Sequence, residues 1–258
     1  NQRNTYIEYL RQMYLDLYSK YLTGGKQYFL DKTPRYYHIV NELLEVFPNA
    51  NYILLIRNPL AVLGSIIDTW TKSNWFQLAD YKHDLFKAID VYIDIIDNKK
   101  DKFKIIYYED LIKKDSTEAF NYIFLDSKLS IKEQELDFNK LKEEKWIFGD
   151  TKIYEKKEIE TNNDIKWQSN LDNPQYWRVM FDYLGYIGKE KFEKLGYDYD
   201  ENYNILMQSL TMSIEDMKNK TFPLLSFVDD TREVLIENKN KQKIIEAKNS
   251  ELNQKSNE

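Results

Sequence analysis

The chain has 258 residues, with 37 Lys+Arg against 43 Asp+Glu, 42% hydrophobic residues and no cysteine. That length and apolar fraction suit one large or two small globular domains and exclude disorder throughout, while the missing cysteine excludes disulfide frameworks, thiolate metal sites and cysteine nucleophiles. A net charge of −6 argues against duplex nucleic acid as a partner, since phosphate contacts supply most of that affinity; apolar runs of about six residues fall short of the ~20 that span a bilayer, and with no signal peptide visible the expected location is cytoplasmic.

In chain order, Tyr6, Leu10, Met13, Leu17 and Tyr21 recur at helical spacing and predict an amphipathic helix over Tyr6 to Tyr21. It opens at Asn1 rather than Met, so a fragment of something longer is expected. Tyr28-Phe29-Leu30 follows as a short buried-strand candidate, and Pro34 precedes a helix from Arg35 to Phe47. After the turn Pro48-Asn49-Ala50-Asn51, the continuous apolar run Tyr52 to Ile56 fits a strand buried on both faces of a parallel sheet. Asn58 suits an N-cap and Pro59 the first position of a helix reaching Thr71. A helix over Asp80 to Asp97 and a strand over Phe103 to Tyr108, entering a helix at Glu109, complete an α/β pattern with a parallel sheet.

Further on, a Lys- and Glu-rich stretch from Asp126 to Glu160 carries a helix near Ile131 to Lys142. Trp167, Leu171, Tyr176, Trp177, Phe181, Leu184 and Leu195 form an aromatic-rich set that reads as core rather than as a ligand cage. The composition then shifts to Lys, Asn, Gln and Glu, so residues 1–205 are expected to form the domain and residues 206–258 a helical, charged tail or linker to a downstream domain.

Ligands of open α/β sheets lie outside the carboxyl ends of the strands. The three expected ends carry Asp31-Lys32, Arg57-Asn58 and Tyr108-Glu109, each polar or ionisable. An arginine at a strand end, beside the unpaired amides of a helix start, is an anion site through its guanidinium fork and the helix dipole together. Ser65 lies seven residues beyond Asn58, nearly two turns, and returns to the same helix face. Arg57 and Ser65 can then hold one phosphate. The plainer alternative, an exposed arginine and a serine packed on a neighbour, stays open on spacing alone. The seven glycines form neither GxGxxG nor GxxxxGK. His38 and His83 have no ligand partner at metal spacing, so no metal is expected.

These segments resemble the sulfotransferases that use 3′-phosphoadenylyl sulfate (PAPS). Phe29 to Tyr36, with Asp31-Lys32-Thr33-Pro34, is similar to the acid-Lys-Thr-Pro stretch of carbohydrate sulfotransferases. Leu44 to Ala50, leading through Arg57-Asn58-Pro59 to Ser65, resembles the 3′-phosphate segment, and Tyr107 to Leu111 the strand-end block after it. Lys166-Trp167 and Leu195-Gly196-Tyr197-Asp198 resemble elements near the end of the tyrosyl-protein branch and its bacterial relatives.

The resemblance implies a P-loop-like sulfotransferase fold that moves a sulfuryl group from PAPS to a hydroxyl or amine acceptor, a carbohydrate by the first block, and leaves PAP as product. It implies that Arg57 and Ser65 bind the 3′-phosphate, Tyr108 and Lys166 contact the nucleotide, and Lys157 covers it from a closing loop over Thr151 to Glu160. For Lys157 a solvent-facing place in a charge run, and for Tyr108 a sheet-packing role, stay open. Asp31 would be the general base with Lys32 beside it, in a position where the family carries a glutamate; a structural Asp31–Lys32 ion pair is the alternative. The family's Arg-Ser-Gly-Thr loop for the 5′-phosphosulfate has no counterpart in Asn1 to Lys26, so the fold is expected to be incomplete at its N-terminus and the chain to bind donor poorly. A kinase-like protein without a Walker lysine and a non-catalytic nucleotide-binding or assembly fragment are the competing classes.

Overall fold

A computed structural model describes residues 2–22, 24–25, 28–113, 116–125 and 164–223. Helix α1 (Gln2–Ser19) and helix α2 (Val40–Val46) lead into strand β1 (Tyr52–Ile56). Helix α3 (Pro59–Ile66) follows, then α4 (Ala88–Asn98), strand β2 (Phe103–Tyr107), α5 (Tyr108–Ile112) and α6 (Thr117–Phe124). After a 3₁₀ turn (Lys166–Asn170) come α7 (Pro174–Lys194), α8 (Tyr199–Gln208) and α9 (Ile214–Lys220).

Among the described residues the sheet has two parallel strands, with Tyr52 opposite Phe103 and Ile56 opposite Tyr107. Parallel strands require a crossover, here supplied by α3 and α4, so the described part is α/β. The register sets the geometry of everything downstream. Because Ile56 pairs with Tyr107, the next residues, Arg57 and Tyr108, leave adjacent strand ends side by side.

β1 has the expected bounds but not the expected burial. Leu54 and Ile56 face the core, whereas Ile53 and Leu55 are 38% and 46% exposed. Helices cover one face of this strand among the described residues, so a run that is apolar at every position is buried only at alternate ones. Tyr28-Phe29-Leu30 is not a strand: Phe29 stacks on Tyr18 of α1 at 4.3 Å and Leu30 is exposed. Its apolar residues find an aromatic partner rather than a ladder.

α1 departs from its expected face. Tyr6, Met13, Leu17 and Tyr21 are exposed. The docked side runs through buried Ile7, Arg11, Tyr14 and Tyr18: Arg11 donates to the carbonyls of Val46 at 2.5 Å and Glu45 at 3.2 Å, and Tyr14 lies edge-on to Phe47.

The expected helix over Arg35 to Phe47 splits into a 3₁₀ turn (Tyr36–His38) and α2, with the Tyr37 hydroxyl tied to Asp84 at 2.7 Å. That over Pro59 to Thr71 ends as α3 at Ile66 and widens into a π-helical turn over Ile67–Thr71, closed by Lys72 and Ser73 at positive φ. The helix expected from Asp80 is a 3₁₀ segment (Trp75–Tyr81), a π turn (His83–Lys87) and then α4. α5 starts one residue early, at Tyr108.

The aromatic set of the second half is core. Trp167, Leu171, Tyr176, Trp177, Leu184 and Leu195 are buried with Leu60, Leu63, Ile67 and Ile95, and Phe181 packs partly buried against them. Two of its buried polar heads are paired, Trp177 Nε1 donating to the Leu206 carbonyl at 2.7 Å and the Tyr183 hydroxyl to that of Leu85 at 2.6 Å, whereas the buried Tyr176 hydroxyl has no hydrogen-bond partner among the described residues. Residue 205 falls inside α8, next to fully buried Leu206. The predicted helix near 131–142, the stretch 151–160 and the tail from 224 lie outside the described residues. Among the described residues no helix is long and apolar enough to cross a membrane.

Candidate functional site

β1 delivers Arg57 to its carboxyl end, and Asn58 then turns the chain into α3. The Asn58 side chain accepts from the Leu60 amide at 2.9 Å, and Pro59 occupies the first helical position, where its missing N–H costs nothing. β2 delivers Tyr108 beside it. The Arg57 guanidinium carbon lies 4.4 Å from the centre of the Tyr108 ring, a cation–π contact at the strand end that leads into α3. Both side chains are half-buried.

Ser65 sits on α3, half-buried, ~9 Å along the axis from Pro59 at 1.5 Å per residue. Beside it, Gly64 allows a close approach: a Cβ there would meet the Tyr176 hydroxyl at 2.7 Å and Trp167 Cβ at 2.9 Å. Trp167 is buried against this glycine, so the turn that opens with exposed Lys166 is laid along the flank of α3. Asn170, at the far end of that turn, reaches Asp68 at 3.5 Å. Arg57, Tyr108, Ser65 and the Lys166 turn are thereby grouped around one helix.

Asp31 belongs to a second cluster. Its Oδ2 accepts from the Tyr18 hydroxyl at 2.5 Å and from the Tyr36 hydroxyl at 2.6 Å, which leaves Oδ1 without a protein donor among the described residues. Burial raises both tyrosine hydroxyls above their ordinary range, and the Asp31 carboxylate adds to that. Asp31 and Lys32 are exposed, and Asp31 is held by tyrosines rather than by an ion pair with Lys32. Lys157 lies outside the described residues. Among the described residues no group of three or more His, Asp or Glu side chains is placed to hold a metal ion.

A third group had no role assigned from sequence. Glu109, the residue after Tyr108, accepts from the Asn58 amide at 3.1 Å and from the Tyr197 hydroxyl at 2.7 Å. Asn58 Nδ2 donates to Asn202 Oδ1 at 3.0 Å, and Asn202, buried in α8, donates to the Asp198 carbonyl at 2.7 Å. Burial pushes the Tyr197 hydroxyl far above the usual tyrosine range, with the Glu109 carboxylate adding to it. One faint signal marked Asn202: asparagine is a poor helix former, and here it lies four residues after an aspartate that suits an N-cap. Nothing local marked Tyr18 or Tyr36, whose partner is set by tertiary docking.

Residues 1–120 match the family described as the sulfotransferase family. The match takes in Asp31, Lys32, Arg57, Ser65, Tyr108 and Glu109. Among characterised proteins, the chain is 46% identical over 54 residues to the nodulation protein NoeE of Sinorhizobium fredii (strain NBRC 101917 / NGR234). That stretch is 20% of this chain and 13% of that protein, so the alignment spans only a small part of the relative. No solved structure matches the chain.

Proposed function

We propose that the chain, whose residues 1–120 match the sulfotransferase family, moves a sulfuryl group from PAPS to a hydroxyl acceptor, with a carbohydrate as the acceptor class. The observation that carries the reading is the pairing of Arg57 with Tyr108 at adjacent parallel strand ends, beside the N-terminus of α3. A guanidinium held at a helix start suits a dianionic phosphate. In this reading Arg57 and Ser65 hold the 3′-phosphate, Tyr108 stacks under the arginine and borders the nucleotide, and Lys166 approaches from its turn on α3. Lys157 is a further proposed contact. The P-loop-like architecture is part of the same proposal.

PAPS supplies an activated sulfuryl group. The acceptor oxygen forms the new S–O bond as the bond to the 5′-phosphate breaks, PAP leaves, and the acceptor proton passes to a base. Asp31 is suited to that task because two tyrosine hydroxyls fix one oxygen and leave the other presented. Lys32 stands next to it to offset charge on the transferred group. No metal enters the scheme.

The test is transfer of radiolabelled sulfate from PAPS to a panel of oligosaccharides and simple alcohols, using the full chain. Transfer that falls by about 10²–10⁴-fold in Asp31→Asn, with PAP affinity retained, supports the assignment. PAP bound no better than 5′-AMP, or ATP competing equally with PAP, contradicts it.

A further inference from the structure

The Leu195-Gly196-Tyr197-Asp198 turn does two local jobs that its residues explain. Gly196 has φ of +92° and ends α7: its amide donates to the Glu193 carbonyl at 2.9 Å and the Tyr197 amide to that of Phe192 at 3.4 Å, the bond pattern of a Schellman cap. The Tyr197 ring lies against Phe192 at 6.1 Å, the apolar contact that accompanies such a cap. Asp198 then caps α8 by accepting from the Glu201 amide at 2.8 Å. Neither job needs the Tyr197 hydroxyl.

That hydroxyl instead closes a ring. Tyr197 donates to Glu109, Glu109 accepts from the Asn58 amide, Asn58 donates to Asn202, and Asn202 donates to the Asp198 carbonyl, one residue from Tyr197. Five residues from the ends of β1 and β2, from the α7–α8 turn and from α8 are joined through four hydrogen bonds. Two of their side chains flank the proposed phosphate group in sequence: Asn58 follows Arg57, and Glu109 follows Tyr108. The anchoring is to backbone on the Arg57 side, which is where a guanidinium's starting point is fixed.

The geometry points to Glu109, Tyr197 and Asn202 as positioning residues for a 3′-phosphate site, acting through Asn58 on Arg57 and through Glu109 on Tyr108. None of the three needs to touch the nucleotide. Glu109 carries a negative charge close to an anion site, a placement that a direct phosphate ligand would not have and that a backbone anchor tolerates because Tyr197 and Asn58 both donate to it. The inference rests on the reading of Arg57 as the 3′-phosphate residue.

Tyr197→Phe keeps the ring, the helix cap and the Phe192 contact and removes one donor. Calorimetric titration of the full chain with PAP, which carries a 3′-phosphate, and with 5′-AMP, which does not, separates positioning from general loss of structure. The expected result is a drop of about fivefold in PAP affinity, the size of one net hydrogen bond, with 5′-AMP affinity unchanged. Asn202→Ala should lower the same PAP preference by way of the other arm, and serves if Tyr197→Phe does not fold. A wild-type preference for PAP that survives intact in both variants overturns the inference while leaving the phosphate reading in place. A wild-type chain that does not prefer PAP to 5′-AMP overturns both.

Discussion

Replacing Gly196 with alanine tests how tightly the α7–α8 turn is seated on β2. A Cβ at this position would lie 2.3 Å from the Tyr107 hydroxyl oxygen, 2.7 Å from its Cζ and 2.8 Å from Cε1. Tyr107 cannot swing away freely, because its ring stands edge-on to Tyr197 at 5.9 Å. Overpacking of this kind costs about 1–3 kcal/mol. The backbone adds to it, since φ of +92° is open to glycine and costs an L-residue about 1–2 kcal/mol. Together they give about 2–5 kcal/mol, a large share of the ~5–15 kcal/mol that holds a domain folded. Gly25→Ala is the control: its φ is +78° and nothing lies within 4 Å of an added Cβ, so only the backbone part remains. Urea unfolding measures both, and a lower midpoint at unchanged slope reports stability alone. A Tyr107→Val background should bring the Gly196→Ala cost down towards that of Gly25→Ala, a coupling of about 1 kcal/mol or more. Equal costs for Gly196→Ala and Gly25→Ala would refute the reasoning, since the contact with Tyr107 would then carry no energy.

Other outcomes follow from the same contacts. Asn58→Ala removes the α3 cap and leaves buried Asn202 without its donor, so it should cost about 2 kcal/mol by urea denaturation; a loss under about 0.5 kcal/mol would refute the cap. Tyr108→Leu deletes the ring under Arg57, and PAP affinity should fall by about threefold to tenfold, as expected for a partly desolvated cation–π pair; unchanged affinity would refute that contact's role in binding. Tyr176, Tyr183 and Tyr197 have hydroxyls raised by burial above the ordinary value of 10.0. Above pH 10 the unfolded chain therefore loses protons that the folded chain retains, so stability is fully present below that value and falls as pH rises. Thermal midpoints should drop on the alkaline side, with part of the tyrosinate absorbance appearing only as the fold is lost; complete reversible ionisation within the folded state would contradict it.

Local signals carried far along the chain. The run Tyr52 to Ile56, the Asn58-Pro59 helix start and the strand Phe103 to Tyr107 were legible because each depends on residues within a few positions of it. Arg57 and Tyr108 could both be placed at strand ends from sequence, but their contact with each other depends on the parallel register. What escaped was set by docking. An apolar triplet at Tyr28 to Leu30 reads as a strand until Tyr18 stacks on Phe29, and the choice between a general base and an ion pair with Lys32 for Asp31 stays open in sequence, where nothing shows the two tyrosines that reach it from 13 residues before and five after. The ring through Glu109, Tyr197 and Asn202 spans 88 and 144 residues, a separation over which periodicity carries no information.

The most direct measurement is the affinity of the full chain for PAP before and after Arg57→Ala. Binding that exceeds 5′-AMP binding in the wild type and loses that excess when Arg57 is removed is the predicted result, since the guanidinium would supply the charge-assisted hydrogen bonds to the 3′-phosphate. Equal PAP affinity in the two proteins would place the 3′-phosphate elsewhere and contradict the assignment of this strand end.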